Sequence, residues 1–477
     1  MRRTWADLIC LLICCCLGTL GCSKSTKPPA GNAGSSGAIP VSEGPKLAAA
    51  NDKPAAATAS ATPAAPAETA ARKTDEKLPT ETIVAAAEPA PEEVLLGVGD
   101  LTKGIPGKGP ISKADLDKWL SDSKNHVPLK PTLPFGLAAG AGQIAEMVGN
   151  PLTRAKIELG RQLYFDTRLS NDNSVSCATC HSPEFGYAAN TQFGVGTKGQ
   201  TGKRNSPVAY NRILSSVQFW DGRAATLEEQ AKGPIANPIE MSNTHDVCVK
   251  SLGDINGYQV QFAKIFPDGL NIDNVAKAIA SFERALVTGP SPWDYYEQLK
   301  VFNDVHKEDL ADLEALKKDD PEIYEQYMKL KKASDEHPIS ESAKRGGELF
   351  FNKASCTACH VGANFTDEKY HNLGVGMDAA DPDLGRFAIS KDEKEKGAFK
   401  TPTVRNVALT GPYMHDGSQK TLEEVVEWYD KGGHPNQWLD EKVKPLKLTA
   451  EEKADLVEFM KALTGPLPDV ESGRLPE

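Results

Sequence analysis

The chain has 477 residues, a formal net charge of −11 and 25% charged side chains. That length holds two or three domains, and the acidic balance argues against nucleic-acid binding. Its cysteines are unevenly spread: Cys10, Cys14, Cys15, Cys16 and Cys22 crowd the start, four stand in two pairs farther on, and Cys248 is alone. This gives the folded part no disulfide framework, and Cys248 reads as a small buried apolar residue.

Residues 1–22 read as an export signal, because Arg2 and Arg3 precede an apolar stretch, Leu8 to Leu20, too short for an ordinary membrane span. The closing Thr19-Leu20-Gly21-Cys22 resembles a bacterial lipoprotein signal with Cys22 as the lipidated residue. The usual leucine three places before the cysteine is missing, which leaves a cleaved soluble signal as the competing reading. Both export the body, so the expected location is periplasmic, with membrane contact only through a lipid anchor. Residues 23–93 are rich in Ala, Pro, Ser and Thr and poor in apolar bulk, the composition of a disordered tether. An N-terminal extension, 94–150, leads into the first folded domain.

That domain is expected over 151–292. Leu152 to Phe165 has helical spacing with Thr153 as a start signal, and it runs towards Cys177-Ala178-Thr179-Cys180-His181. In such a pentapeptide two thiols add to the vinyl groups of a haem and the histidine becomes an axial iron ligand. A short helix is expected at Leu227 to Ala231, and Asp273 to Val287 closes the domain with Val275, Ala276, Ile279, Phe282 and Leu286 on one face. Residues 293–341 are highly charged with helical spacing at Leu310, Leu313 and Leu316, the pattern of a solvated hairpin inserted between domains. A second domain, 342–467, repeats the plan: an apolar run at Gly347 to Phe351 leads to Cys356-Thr357-Ala358-Cys359-His360. It closes with a capping box, Thr449 with Glu452, an apolar face from Leu456 to Leu463 and Gly465 as a stop. Residues 468–477 form a tail. The class is mainly α: two cytochrome c-like haem domains in tandem, carrying two covalently bound haem c.

Longer motifs surround the haem sites. They are Asn205-Ser206-Pro207, Phe219-Trp220-Asp221-Gly222-Arg223, Leu227-Glu228-Glu229-Gln230, Gly233-Pro234-Ile235 and Glu240-Met241, then Thr401-Pro402-Thr403-Val404-Arg405-Asn406 and Gly411-Pro412-Tyr413-Met414-His415-Asp416-Gly417. Together they resemble the bacterial dihaem cytochrome c peroxidase family, from about Leu152 to Leu467. The resemblance implies that the first haem reacts with hydrogen peroxide and the second passes electrons. It implies a reductant of one of two kinds, a small cytochrome c or cupredoxin donor or an oxidised protein substrate. The alternative from another class is an electron-transfer dihaem lipoprotein without peroxidase turnover; a sensor or docking subunit would rest on the charged insertion.

The family also implies a site. His181 and His360 are the proximal ligands. Switchable members carry a removable second histidine in the loop after the first site, but residues 182–203 here contain none. The first iron is therefore expected to be open, with Met241 the rival that could fill it. Glu240 matches the distal acid and Gln230 a pocket glutamine, while Trp220 matches the tryptophan lying between the haems. The family's methionine-ligand position falls on Tyr429, as in the MauG-like branch, with Met414 as the rival. Asn205, Thr410 and Pro412 match positions that hold calcium, for which oxygen donors are apt. His415 is expected beside the second haem as a structural group, and His126, His245, His306, His337, His371 and His434 are expected at the surface without a role.

Overall fold

The computed structural model describes residues 90–477 except 145, 146 and 148. The expected signal, the lipidation site Cys22 and the tether up to residue 89 lie outside the described residues. The chain enters through β1 (Glu92–Leu95), which pairs in parallel with β2 (Leu129–Thr132). This strand starts just before the expected boundary, because Val94 and Leu96 are buried with Leu129 and Leu133 in the first domain's core. Between the strands lies α1 (Lys113–Ser121), started by a Ser112–Asp115 capping box.

The first domain contains α2 (Arg154–Phe165), α3 (Leu227–Ala236), α4 (His245–Gly253), α5 (Asn256–Ile265) and α6 (Ile272–Ala285). Thr153 caps α2 by accepting from Lys156 N, as its sequence signal implies. Helix α3 runs past the expected Ala231 to Ala236 and takes in Pro234. Helices α2 and α6 cross so closely that a Cβ on Gly160 would overlap the Ala278 carbonyl and press on Phe282. The charged segment forms α7 (Pro292–Val305), α8 (Leu313–Asp319) and α9 (Pro321–Glu336). Of its three spaced leucines Leu316 is buried, whereas Leu313 is exposed.

The beginning of this segment is not solvated, contrary to the hairpin expectation. Trp293 is buried edge-on against Phe459 at 4.7 Å, and Asp294 takes a two-armed ion pair from buried Arg405 at 2.8 and 2.9 Å. Charge patterning missed this because the partners lie far along the chain.

The second domain has α10 (Glu341–Phe351), a short antiparallel pair β3 (Tyr370–His371) and β4 (Phe399–Lys400), α11 (Leu422–Asp430) and α12 (Ala450–Ala462). Thr449 and Glu452 make the expected capping box. Helix α12 ends at Ala462, and Gly465 serves a close approach to the Gly289 carbonyl rather than a left-handed cap. Helices α10 and α12 cross as α2 and α6 do: a Cβ on Gly346 would overlap the Asp455 carbonyl and press on Phe459. Among the described residues no helix is long and apolar enough to cross a membrane.

Candidate active site

The two domains repeat each other in backbone detail. Asn211 and Asn406 are both left-handed (φ 56° and 55°), as are Phe219 and Met414 (68° and 70°) and Gly222 and Gly417 (65° and 62°), at one constant spacing along the chain. Asn211 N donates to Leu286 O at 2.7 Å, and Asn406 N donates to Leu463 O at 3.1 Å. Thr226 and Thr421 cap α3 and α11 in the same manner. Carried along the two helices, this register sets Pro234 against Tyr429 and Gln230 against Val425.

One continuous cavity of about 410 Å³ is lined by residues of both domains. Its wall includes Cys177, Cys180, His181, Trp220, Gln230 and Glu240 from the first, and Cys356, Cys359, His360 and Tyr429 from the second. Asn205, Thr410 and Pro412 also line it, as do the rival ligands Met241 and Met414. The sequence-selected residues therefore meet around one space.

The donors fit haem c. All four thiols are free, and both histidines reach the cavity. His360 Nδ1 lies 3.1 Å from Phe365 O, which orients the ring and leaves Nε2 for a metal. The Tyr164 hydroxyl donates to His181 O at 2.8 Å, anchoring the end of the first pentapeptide. His181 Nδ1 is itself buried without a hydrogen-bond partner among the described residues. Burial holds both imidazoles below their ordinary titration range, so the neutral form needed for ligation is favoured.

Glu240 is held by its neighbours. Its Oε1 accepts from Asn237 Nδ2 at 2.8 Å, and its carbonyl accepts from Thr197 N at 2.8 Å. Gly196 permits that approach, since a Cβ there would overlap the Ile239 and Glu240 carbonyls. Burial raises the Glu240 carboxyl above its ordinary range, with Arg223 and the Asn237 hydrogen bond pulling down. Burial thus favours the protonated form more than in a free carboxyl, which suits a group that holds and returns a proton.

Trp220 is tied to both domains: its indole N–H donates to Asn205 O at 2.8 Å, and its carbonyl accepts from Lys400 N at 2.8 Å. The Asn205 amide nitrogen donates to the carbonyls of Thr191 (3.4 Å) and Gln192 (3.1 Å). Burial lifts the Tyr429 phenol well above its ordinary range. His415 is buried and stacks on Phe399 at 3.5 Å.

His371 departs from the surface expectation. It is buried, with Nδ1 2.6 Å from Asp440 and Nε2 3.0 Å from Asp367. Its partners are distant or set by a turn, so a lone histidine in sequence gave no sign of them. Sequence reasoning also missed Arg212, Glu283 and Lys400, which line the cavity. For Glu283 a signal existed: it falls four residues after Ile279, on the apolar face of α6.

Comparison with known proteins agrees with this architecture. The Di-haem cytochrome c peroxidase profile matches residues 154–301, and the Cytochrome c profile matches 343–464. The methylamine utilization protein MauG of Methylorubrum extorquens is 36% identical over 318 residues, 66% of this chain and 79% of that protein. The cytochrome c551 peroxidase of Pseudomonas aeruginosa is 35% identical over 342 residues, covering 70% and 86%. The crystal structure of a MauG-like protein associated with microbial copper homeostasis superposes with a TM-score of 0.56 at 28% identity, covering 67% of this chain and 91% of that one. The chain belongs to the di-haem cytochrome c peroxidase family. It is a c-type peroxidase carrying two haem c groups, an oxidoreductase that reduces hydrogen peroxide with electrons from a redox partner or an oxidised protein.

Proposed function

We propose that the first domain is the peroxide-reducing centre, open to peroxide in the oxidised protein, and that the second stores and relays electrons in the manner of the MauG-like branch. Haem, when bound, supplies an iron that reduces the peroxide bond in the first domain and exchanges electrons in the second. The observation carrying this reading is the repeat pair Pro234 and Tyr429. Where the second domain offers a phenol to a metal, the first offers a ring with no donor atom, and the loop 182–203 contains no histidine.

Within that frame His181 and His360 would hold the two irons, and Tyr429, rather than Met414, would give the second one its further donor. An anionic oxygen donor favours oxidised iron, whereas a thioether favours reduced iron. Glu240 takes a proton from the near oxygen of peroxide and returns it to the leaving one, with Gln230 orienting the molecule. Trp220, bonded to each domain, relays charge between them. Calcium fits the carbonyls of Thr410 and Pro412 with the side-chain oxygen of Asn205, whose amide nitrogen is already engaged. The protein works in the periplasm, tethered through lipidated Cys22, and takes its electrons from a partner protein's side chains more readily than from a small cytochrome or cupredoxin.

The test is one equivalent of hydrogen peroxide added to the fully oxidised two-haem protein. An immediate Soret change is expected. A spectrum that stays still until one electron is supplied would return the protein to the switchable peroxidases and sink the open-site reading.

A further inference from the structure

The cavity wall holds a second carboxylate that the peroxide chemistry above does not use. Glu283 lies on α6 beside Phe282, is 6% exposed, and lines the cavity. Its Oε2 is buried with no hydrogen-bond partner among the described residues. The cations that face it are engaged elsewhere. Arg212 gives Nε and Nη2 to Gln218 Oε1 (2.9 and 2.6 Å) and reaches Val217 O, while Arg284 turns both arms on Glu228 (2.6 and 2.9 Å). Burial therefore dominates and raises the carboxyl to about 8, although Arg212 and Arg284 pull the other way.

The second domain supplies an internal contrast. The matching Gly160 and Gly346 crossings, with the matching Asn211–Leu286 and Asn406–Leu463 bonds, set Phe282 against Phe459 and Glu283 against Met460. Met460 also lines the cavity. A proton-bearing side chain thus borders the first haem's space where the second has a thioether.

We propose that Glu283 exchanges a proton with solvent when the first haem gains or loses an electron. The proposal rests on the two-haem reading. Where Glu283 is ionised, one electron from the redox partner makes the haem one unit more negative and one proton moves from solvent to its carboxylate; both return on oxidation. In a low-dielectric wall this compensation is strong. Tyr164 is the neighbouring phenol, with burial raising it far out of range. Lys400 is the rival carrier: it lines the cavity, donates to Glu368 Oε2 at 2.9 Å, and burial lowers it to about 7.

The deciding experiment is a spectroelectrochemical titration of the two-haem protein between about pH 5 and pH 9, for wild type, Glu283→Gln and Lys400→Met. The first-haem potential is expected to stay level at the acid end and to fall as pH rises past about 8, approaching one proton per electron, and reduction there should bring up a carboxylic-acid C=O infrared band. Both signals should vanish in Glu283→Gln, with the second-haem slope unchanged, and both should persist in Lys400→Met. An unchanged slope in Glu283→Gln, or its loss in Lys400→Met alone, overturns the assignment. A protein showing a single haem wave sinks the two-haem reading and this assignment with it; two waves with an unaltered slope sink the assignment only.

Discussion

Glu240 and Glu283 are both carboxyls on one cavity wall, yet their surroundings prepare them for different work. Glu240 has a hydrogen bond from Asn237 and Arg223 nearby, so its upward shift by burial is restrained and it can cycle a proton. Glu283 has an oxygen with no hydrogen-bond partner among the described residues, and burial raises its carboxyl to about 8, where a change of charge beside it can move its proton. Glu240→Gln should therefore lower peroxide turnover by roughly 10²–10⁴-fold while haem content and the unfolding midpoint stay near wild type. Steady-state peroxide consumption beside a thermal melt checks this; turnover within a factor of about 3 of wild type would remove Glu240 from the proton path. Glu240 was legible from its motif, and its Asn237 partner is local in sequence. The half-buried carboxylate pair around His371 was not, because Asp440 reaches it across 69 residues.

Helix identity was largely written in local patterns. Thr153 before α2 and the Thr449–Glu452 box before α12 satisfy the first free N–H groups of their helices. The crossings those helices make were not written there. Gly160 and Gly346 look like weak points in helices, since glycine costs about 1 kcal/mol relative to alanine. Here that cost is outweighed because the partner helix's carbonyl takes the space of a Cβ. Gly346→Ala should destabilise the protein by about 1–3 kcal/mol despite its better helix propensity. Denaturant unfolding of the two-haem protein reads this directly, and an equal or higher midpoint would show that the crossing relaxes freely. The charged segment misled at the same scale: α7 has an ordinary solvated pattern, but its first turn supplies Trp293 and Asp294 to the second domain's core.

Across the whole molecule, the C-terminal tail returns to the first domain. Arg474 is buried and donates to the carbonyls of Ile105 (2.6 Å), Pro106 (2.8 Å) and Gly109 (3.1 Å) and to Asp115 at 2.7 Å. Fully buried Arg161, paired with Glu158, donates to Arg474 O at 2.9 Å, and Ile111 N donates to Leu475 O at 2.7 Å. The tail thus clasps the N-terminal extension against α2 and joins the end of one haem domain to the start of the other. Arg474→Ala leaves the buried Ile105 carbonyl and the part-buried Pro106 and Gly109 carbonyls without their donor and should cost about 2–4 kcal/mol. In calorimetry it should also broaden or split the unfolding transition. A single sharp transition at the wild-type temperature would mean that the clasp contributes nothing.

By itself, the sequence determined the covalent chemistry and the element types. Two Cys-x-x-Cys-His pentapeptides, helical spacing and capping residues are local signals, and local sterics and hydrogen bonding suffice to decode them. Tertiary structure alone decided which side chains share the cavity wall. It opposed Pro234 to Tyr429, tied Trp220 to both domains, turned α6 so that Glu283 lost its solvent and its Oε2 found no partner among the described residues, and drew the tail back over the first domain. Those outcomes depend on burial and on partners far apart in the chain, and desolvation belongs to the folded surroundings of a residue rather than to its neighbours in sequence.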